Sequence, residues 1–225
     1  MSVEHLPIKN DEPRFIVVEG PIGVGKTSLA SRLATSLSGE AVLEQVAENP
    51  FLERFYKTRG GGALPAQLFF LFQRVKQLDE MRQSDLFSPV RVANFHISKD
   101  RLFAEVSLDR EELALYEQMY AKMDVDPPVP DLVIYLQSSV DELMLRIARR
   151  GISHEKFIDR QYLEKITEAY ARYYHSYDEA PLLIVNASSF DPVNNDSDYA
   201  QLFDRVRQTT SGRHFFNPTT AVALA

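Results

Sequence analysis

The sequence predicts an α/β fold, an open parallel sheet with helices on both faces. Two observations carry this expectation. Short runs of β-branched and other apolar residues alternate with longer segments of helical periodicity, the order that builds a parallel sheet covered on both sides. The runs are also apolar throughout, as strands buried on two faces must be. Right-handed crossovers then place any ligand beyond the carboxyl ends of the strands.

Taken in order, residues 1–13 read as a flexible polar arm closed by Pro13. Phe15 to Glu19 is a strand bounded by Gly20 and Pro21. After a glycine-rich stretch, Leu29, Leu33 and Leu37 recur on one helical face, and Gly39 is the expected stop. Ala41 to Glu44 reads as a second strand, and Glu48 to Pro50 as a turn. Residues 64–82 carry a long amphipathic helix in which Phe69, Phe70 and Phe72 are mostly core. Val90 to Ala93 is the third strand, and residues 109–123 form a helix capped by Asp109. Leu132 to Leu136 is the clearest strand, and Ser138 or Ser139 opens a helix running into the basic segment Arg146 to Arg150. A helix over 160–176 and a strand over Leu182 to Val185 follow. Residues 209–225 are small, polar and without period, and read as a disordered tail.

The chain has 225 residues, the size of one domain, and needs no disulfide or metal to hold its core. Apolar residues at 44 % and charged residues at 25 % exclude a disordered, collagenous or coiled-coil chain. With no cysteine, a thiol nucleophile, a Cys-ligated zinc or Fe–S site and a disulfide framework are excluded, and a cytoplasmic location is expected. A net charge of −7 repels nucleic acid polymers and anionic lipid. The longest apolar patch, Leu68 to Phe72, is far short of the roughly 20 residues a membrane span needs. The opening MSVEHLPIKNDEPR has no apolar segment of the kind a signal peptide carries.

Residues 20–27 read GPIGVGKT, a full P-loop pattern between a strand and a helix. Gly20, Gly23 and Gly25 let backbone N–H groups converge on phosphate oxygens where a Cβ would intrude. The following helix points its unpaired amides and positive end at the same anion. Lys26 supplies a mobile charge for the β- and γ-phosphates, and the Thr27 hydroxyl is a ligand for Mg²⁺. Gly20, Pro21, Ile22, Gly23, Val24, Gly25, Lys26, Thr27 and Ser28 form the nucleoside-triphosphate cradle.

A P-loop by itself does not separate kinases from GTPases or ATPases. The chain has no base-reading [NT]-K-x-D stretch, and its candidate strands end in Gln137 and Asn186 where a Walker B strand ends in a carboxylate. A small-molecule P-loop kinase with an arginine-bearing lid remains, the lid bringing charge onto the transferring phosphoryl group on closure.

At this point the chain resembles the deoxynucleoside kinase family, in particular its bacterial deoxyadenosine/deoxyguanosine kinase branch. The resemblance rests on FIVVEGPIGVGKTSLA, LEQVAENPFLERFY, LPAQLFFLFQR, SKDRLFA, DLVIYLQSS and RIARRG, in this order across roughly residues 14–205. It implies ATP as phosphate donor, Mg²⁺, a homodimer and phosphorylation of a purine deoxynucleoside on its 5′-hydroxyl. It also implies Glu44 as the carboxylate that accepts the hydroxyl proton, with Lys26, Arg146 and Arg150 as charge stabilisers. Gln67, Arg74 and Asp100 would meet the nucleobase, and Tyr56 and Glu155 the sugar 3′-hydroxyl. The implied kinase domain spans 14–208.

Two positions depart from the family pattern. Asn94 stands where an acid helps hold Mg²⁺, followed by Phe95 where many relatives have arginine and this bacterial branch has an aromatic, and Ile152 replaces a lid arginine. Glu19 or Glu44 could then reach the metal, and His96 or Lys99 could restore the positive charge. Two alternatives stay open: a nucleotide-binding regulator with weakened or no catalysis, and a nucleoside-monophosphate kinase on the same architecture.

Overall fold

Strands β1 (Phe15–Glu19), β2 (Glu40–Val42), β3 (Arg91–Ala93), β4 (Leu132–Gln137), β5 (Leu182–Asn186) and β6 (Arg213–Phe216) form one sheet. Their order is β2-β3-β1-β4-β5-β6, and every pairing is parallel. The structure is a computed structural model that describes residues 13–58, 61–83 and 90–218. The connecting helices are α1 (Lys26–Ser36), α2 (Leu52–Thr58), α3 (Ala63–Gln83), α4 (Ser98–Ser107), α5 (Arg110–Lys122), α6 (Val140–Arg150), α7 (Arg160–Ser176) and α8 (Asp196–Gln208).

Strand periodicity divides the core into two layers. Ile16, Val18, Ile134, Leu136, Leu183 and Val185 pack with Leu29 and Leu33 of α1, Leu143 and Ile147 of α6 and Leu202 of α8. On the opposite face, Val17, Val133, Tyr135 and Ile184 meet Leu102 of α4 and Ile166, Tyr170 and Tyr174 of α7. With both faces covered, an apolar side chain at nearly every strand position lowers the free energy, which accounts for the unbroken runs in the sequence.

Asp109 caps α5 in a full capping box, and Ser139 rather than Ser138 caps α6. The predicted helices over 64–82 and 160–176 are α3 and α7.

Four expectations change. The stop after α1 is not a left-handed Gly39; Ser38 takes the positive φ, 51°. Gly39 is there for close approach instead, since a Cβ on it would lie 2.2 Å from the Val90 carbonyl oxygen. Strand β2 ends at Val42, so Glu44 sits in the connection beyond it. Phe69 and Phe70 are only partly buried, and Phe72 is 50 % exposed.

The fourth concerns the predicted tail, which contributes β6 at the sheet edge, with Leu182 opposite Arg213 and Val185 opposite Phe216. Arg213, His214 and Phe215 are exposed, so no apolar alternation announced the strand, and backbone pairing with β5 holds it. All of the predicted arm over 1–13 except Pro13, and residues 219–225, lie outside the described residues.

Candidate active site

The loops that follow β1, β2 and β3 meet at one end of the sheet, where parallel strands present their carboxyl ends. Immediately after β1, the P-loop turns through Gly20, Gly23 and Gly25, with φ of 144°, 86° and 105°. At Gly20 any Cβ would stand 2.4 Å from the Leu136 carbonyl oxygen. Helix α1 begins at Lys26 with no side-chain cap and no acid in its first turn. Its first N–H groups are therefore left for an anion. The Lys26 Nζ donates to the carbonyls of Gly20 at 2.7 Å and Pro21 at 2.9 Å. Burial and the neighbouring Lys99 ammonium draw its pKa down to about 7, against the opposing pull of Glu19 and Glu44.

Beside the P-loop opens a pocket of about 710 Å³. Ile22, Gly23, Lys26, Thr27, Glu44, Tyr56, Gln67, Arg74, Arg150 and Glu155 all line it, so most of the sequence-predicted site residues come together. Asp100 is not among the lining residues; it lies behind Arg74. Val24, Gly25, Ser28 and Arg146 line an adjoining open cavity of about 1270 Å³, which Arg150 also borders.

At the centre is Glu44. Its Oε1 accepts from Nε of Arg74 at 2.8 Å and from Nη2 as well, and its Oε2 accepts from Nζ of Lys99. Burial pushes the Glu44 carboxyl up, but the two cations more than offset it and hold the pKa at about 2. Arg74 Nη1 lies 2.9 Å from Oδ1 of Asp100. This ion pair holds the two buried side chains together, and Oε1 of Gln67 is buried without a hydrogen-bond partner. Unsatisfied buried polar atoms are costly, and the Gln67 oxygen, on a residue of the pocket wall, fits a ligand with a polar edge. Burial raises Asp100 to about 6 against the pull of Arg74. Phe70 lies beneath the guanidinium, its ring centroid 5.2 Å from Cζ of Arg74.

The lid arginines are anchored. Arg150 pairs through Nε and Nη2 with Glu155, the Nε contact being 3.0 Å. Arg146 donates to Glu142 at 2.8 Å and to the Ala187 carbonyl at 2.7 Å. The chain leaves α6 through Gly151 and Ile152, whose carbonyl receives the Glu155 N–H at 3.1 Å.

The departures from the family pattern have clear places. Asn94 accepts the Glu44 N–H on Oδ1 at 2.8 Å and donates from Nδ2 to the Thr27 hydroxyl at 2.8 Å. Its oxygen is thus turned to the loop after β2 and its nitrogen to the P-loop. Glu19 is equally engaged: Oε1 accepts the His96 N–H at 2.6 Å, while Oε2 accepts Tyr170 at 2.8 Å and the Gly20 N–H at 3.1 Å. Both oxygens of Glu19 and both of Glu44 thus accept hydrogen bonds in this structure. Phe95 is buried among Leu78, Met81 and Ile97. The His96 ring faces Ser98 and Tyr177, and burial lowers its pKa. Of the two suggested replacement cations, Lys99 alone lines the pocket.

Among the described residues no group of three or more His, Asp or Glu side chains is placed to hold a metal. The Thr27 hydroxyl is the side-chain ligand the P-loop offers. A hard divalent cation fits it if phosphate oxygens and water complete the shell.

Sequence reasoning missed Phe55, Phe103 and Tyr162 in the pocket wall, and the loop from Ala187 to Asn194 that lines the adjoining cavity. The loop did carry a signal, a turn-rich Ser-Ser-Phe-Asp-Pro run following a buried strand. The three aromatics carried none that distinguishes them from core residues.

A family model for deoxynucleoside kinase matches residues 16–211. The chain belongs to the deoxynucleoside kinase family. It is 36 % identical over 202 residues to deoxyguanosine kinase of Bacillus subtilis (strain 168), covering 86 % of this chain and 96 % of that one. To deoxyadenosine/deoxycytidine kinase of the same organism it is 28 % identical over 216 residues, covering 92 % and 95 %. The solved structure of deoxyadenosine kinase from M. mycoides with products dCMP and a flexible dCDP bound superposes with a TM-score of 0.74. It shares 26 % identity, covering 86 % of this chain and 99 % of that one. Within this family frame, β6 begins beyond the matched residues. No described helix is long and apolar enough to cross a membrane.

Proposed function

We propose that this chain transfers the γ-phosphoryl group of ATP to the 5′-hydroxyl of a purine deoxynucleoside. One observation carries the reading: the P-loop lysine, the Glu44 carboxylate and the Gln67–Arg74 edge all open onto one pocket. The similarity to deoxyguanosine kinase of Bacillus subtilis supports the purine preference.

In this mechanism the 5′-oxygen attacks the γ-phosphorus, and the bridging P–O bond breaks with its electron pair leaving on ADP. The hydroxyl proton passes to Glu44. A carboxylate held at about 2 is ionised at neutral pH and is a weak base. That suffices where bond breaking runs ahead of bond making, because the proton becomes acidic only as the new P–O bond forms. The α1 N-terminus and Lys26 hold the donor phosphates, and Arg146 and Arg150 neutralise charge on the transferring group. Mg²⁺, bound through Thr27, would supply further charge neutralisation on the phosphates. Gln67 and Arg74, backed by Asp100, orient the base, while Tyr56 and Glu155 take the 3′-hydroxyl.

A cytoplasmic homodimer is part of the same reading. Phe72 of α3 and Leu115 of α5, 50 % and 47 % exposed, support a helix-mediated contact, and size-exclusion with light scattering tests it. For the activity, the experiment is ADP release with Mg·ATP and each of the four deoxynucleosides, with Lys26→Ala as blank. Turnover on deoxyguanosine or deoxyadenosine, lost in the variant, is expected. Absence of turnover on all four overturns the proposal.

A further inference from the structure

Arg32 follows Ser28 by one turn on the same face of α1, and Ser28 lines the open cavity of about 1270 Å³ beside the cradle. Arg32 does not line that cavity itself. Its Nη1 donates to the Pro192 carbonyl at 3.2 Å and to the Val193 carbonyl at 2.9 Å, and its Nη2 pairs with Asp196. The guanidinium lies over the ring of Tyr199, with Cζ 3.9 Å from the centroid, and the Tyr199 hydroxyl donates to the Arg32 carbonyl at 3.2 Å. Both carbonyls that Arg32 holds belong to the loop from Ala187 to Asn194, which walls the cavity together with Arg146, Arg149 and Arg150 of α6.

The start of this loop is fixed to the end of β4 and the cap of α6. The Ala187 N–H donates to the Gln137 carbonyl at 2.7 Å, and Oγ of Ser188 accepts the Ser139 N–H at 3.2 Å. Its middle closes on itself, Oδ1 of Asp191 accepting the N–H groups of Val193 at 3.2 Å and Asn194 at 3.1 Å. Neither set of bonds reaches α1. The Arg32 fork does, and it grips main-chain oxygens whose positions follow the path of the loop and not a side-chain rotamer. A Cβ placed on Gly25 would lie 3.6 Å from Cγ2 of Val193, so a residue that Arg32 holds also comes up to the last glycine of the cradle. Surface pairing does not account for the arrangement, because Asp196 is 94 % exposed and an ion pair at such a position contributes little.

We propose that Arg32 is a positioning residue for the phosphate donor, holding the loop from Ala187 to Asn194 at the distance from the P-loop that a nucleoside triphosphate spans. This rests on the kinase reading above, in which the cradle takes the donor phosphates and the pocket with Glu44 takes the acceptor. The nucleoside half of the donor then leaves the cradle on the other side, into the cavity that α6 and this loop wall. A ligand that reaches from cradle to loop binds tightly only if that gap is set beforehand. A ligand confined to the cradle is indifferent to it. Arg32 thus couples the helix that carries the phosphate site to the wall that meets the rest of the donor, without touching the donor.

The experiment titrates wild type and Arg32→Met calorimetrically with Mg·ATP and with Mg·tripolyphosphate, which fills the cradle alone. Arg32→Met should weaken ATP about 10-fold and tripolyphosphate less than about 2-fold. In turnover with deoxyguanosine, the KM for ATP should rise by about the same 10-fold, with kcat and the deoxyguanosine KM changed less than about 3-fold. Asp196→Asn removes the exposed ion pair only and should leave both affinities within about 2-fold. Equal weakening of both ligands by Arg32→Met, or of neither, overturns the role of Arg32 and leaves the kinase reading standing. A loss of ATP in Asp196→Asn as large as that in Arg32→Met overturns the carbonyl clamp in the same way. A wild type that binds both ligands but turns over no deoxynucleoside overturns the kinase reading instead, and the two affinities still decide the role of Arg32. If Arg32→Met does not fold, as judged by circular dichroism, Arg32→Gln takes its place, since its amide is too short to reach either carbonyl. Selective loss of ATP in that variant supports the clamp, and an unchanged ratio of the two affinities overturns it.

Discussion

Asn94 stands between Glu44 and Thr27 as a bridge, accepting the Glu44 N–H on Oδ1 and donating from Nδ2 to the Thr27 hydroxyl, each at 2.8 Å. The backbone N–H can only donate, which orients the amide and directs its nitrogen at the P-loop. A neutral donor therefore occupies the place where the family resemblance leads one to expect an acid, and it ties the second-strand loop to α1.

Substituting this bridge separates its two tasks. Asn94→Leu leaves the Glu44 N–H and the Thr27 hydroxyl without their partner and should cost about 1–3 kcal/mol of stability, read by urea unfolding. Asn94→Asp still accepts the Glu44 N–H and adds a carboxylate beside Thr27. The Mg²⁺ concentration for half-maximal turnover should then fall, and an unchanged or higher requirement would count against the assignment of Thr27 to the metal.

Glu44→Gln is expected to lower kcat by about 10²–10⁴ while the KM for ATP stays within a few-fold, because the carboxylate meets the acceptor and not the donor. It also leaves Arg74 and Lys99 buried beside a neutral amide. Breaking a buried pair of this kind should cost about 3 kcal/mol, measurable as a lower unfolding midpoint. A variant with near-normal kcat would remove Glu44 from the chemistry.

The pH dependence of stability should have two opposed components. Burial favours protonation of Glu44, but Arg74 and Lys99 hold its pKa at about 2, below the ordinary 4.5. Its stabilisation is therefore complete above about 4.5 and lost as pH falls toward 2. Burial lifts Asp100 from 3.8 to about 6 despite Arg74. Its ionisation in the folded chain thus costs stability, and that cost develops as pH rises from about 4 through 6. Thermal unfolding across pH should show Asp100→Asn without the decline over pH 4–6, and Glu44→Gln with a shallower loss over pH 4.5–2. Identical profiles for all three proteins would contradict this division.

The edge strand β6 should tune the donor side. Phe216 packs edge-on against Phe190 with centroids 5.5 Å apart, and Phe190 lines the cavity next to the P-loop. An aromatic pair of this geometry contributes about 0.5–1.5 kcal/mol beyond its buried area. Phe216→Ala is expected to raise the KM for ATP about 2–10-fold with the deoxynucleoside KM unchanged. A parallel rise in both would mean that β6 supports the sheet generally.

Much of the molecule was legible before any coordinates. Local pattern identified β1, β4 and β5, the helices α3, α5 and α7 and the P-loop, because fully buried strands, helical periodicity and a phosphate cradle each leave a mark within a few residues. The family resemblance added Glu44, Tyr56, Gln67, Arg74 and Glu155, which do share one pocket. The edge strand β6 was not legible, since an exposed strand needs no apolar alternation and depends on the backbone of β5.

What the sequence by itself determined is therefore the sheet class, the cradle and the set of residue types that converge on it. Only the tertiary structure decided how their charges are allotted. Arg74 and Lys99 both turn to Glu44, Glu19 accepts from His96, Gly20 and Tyr170, and Asn94 faces Thr27 with its nitrogen. These assignments join residues distant along the chain, and each depends on burial and on which donors the fold brings within hydrogen-bond reach. Spacing along a chain encodes the faces of helices and strands, but hydrogen-bond partners across elements exist only once the sheet has assembled.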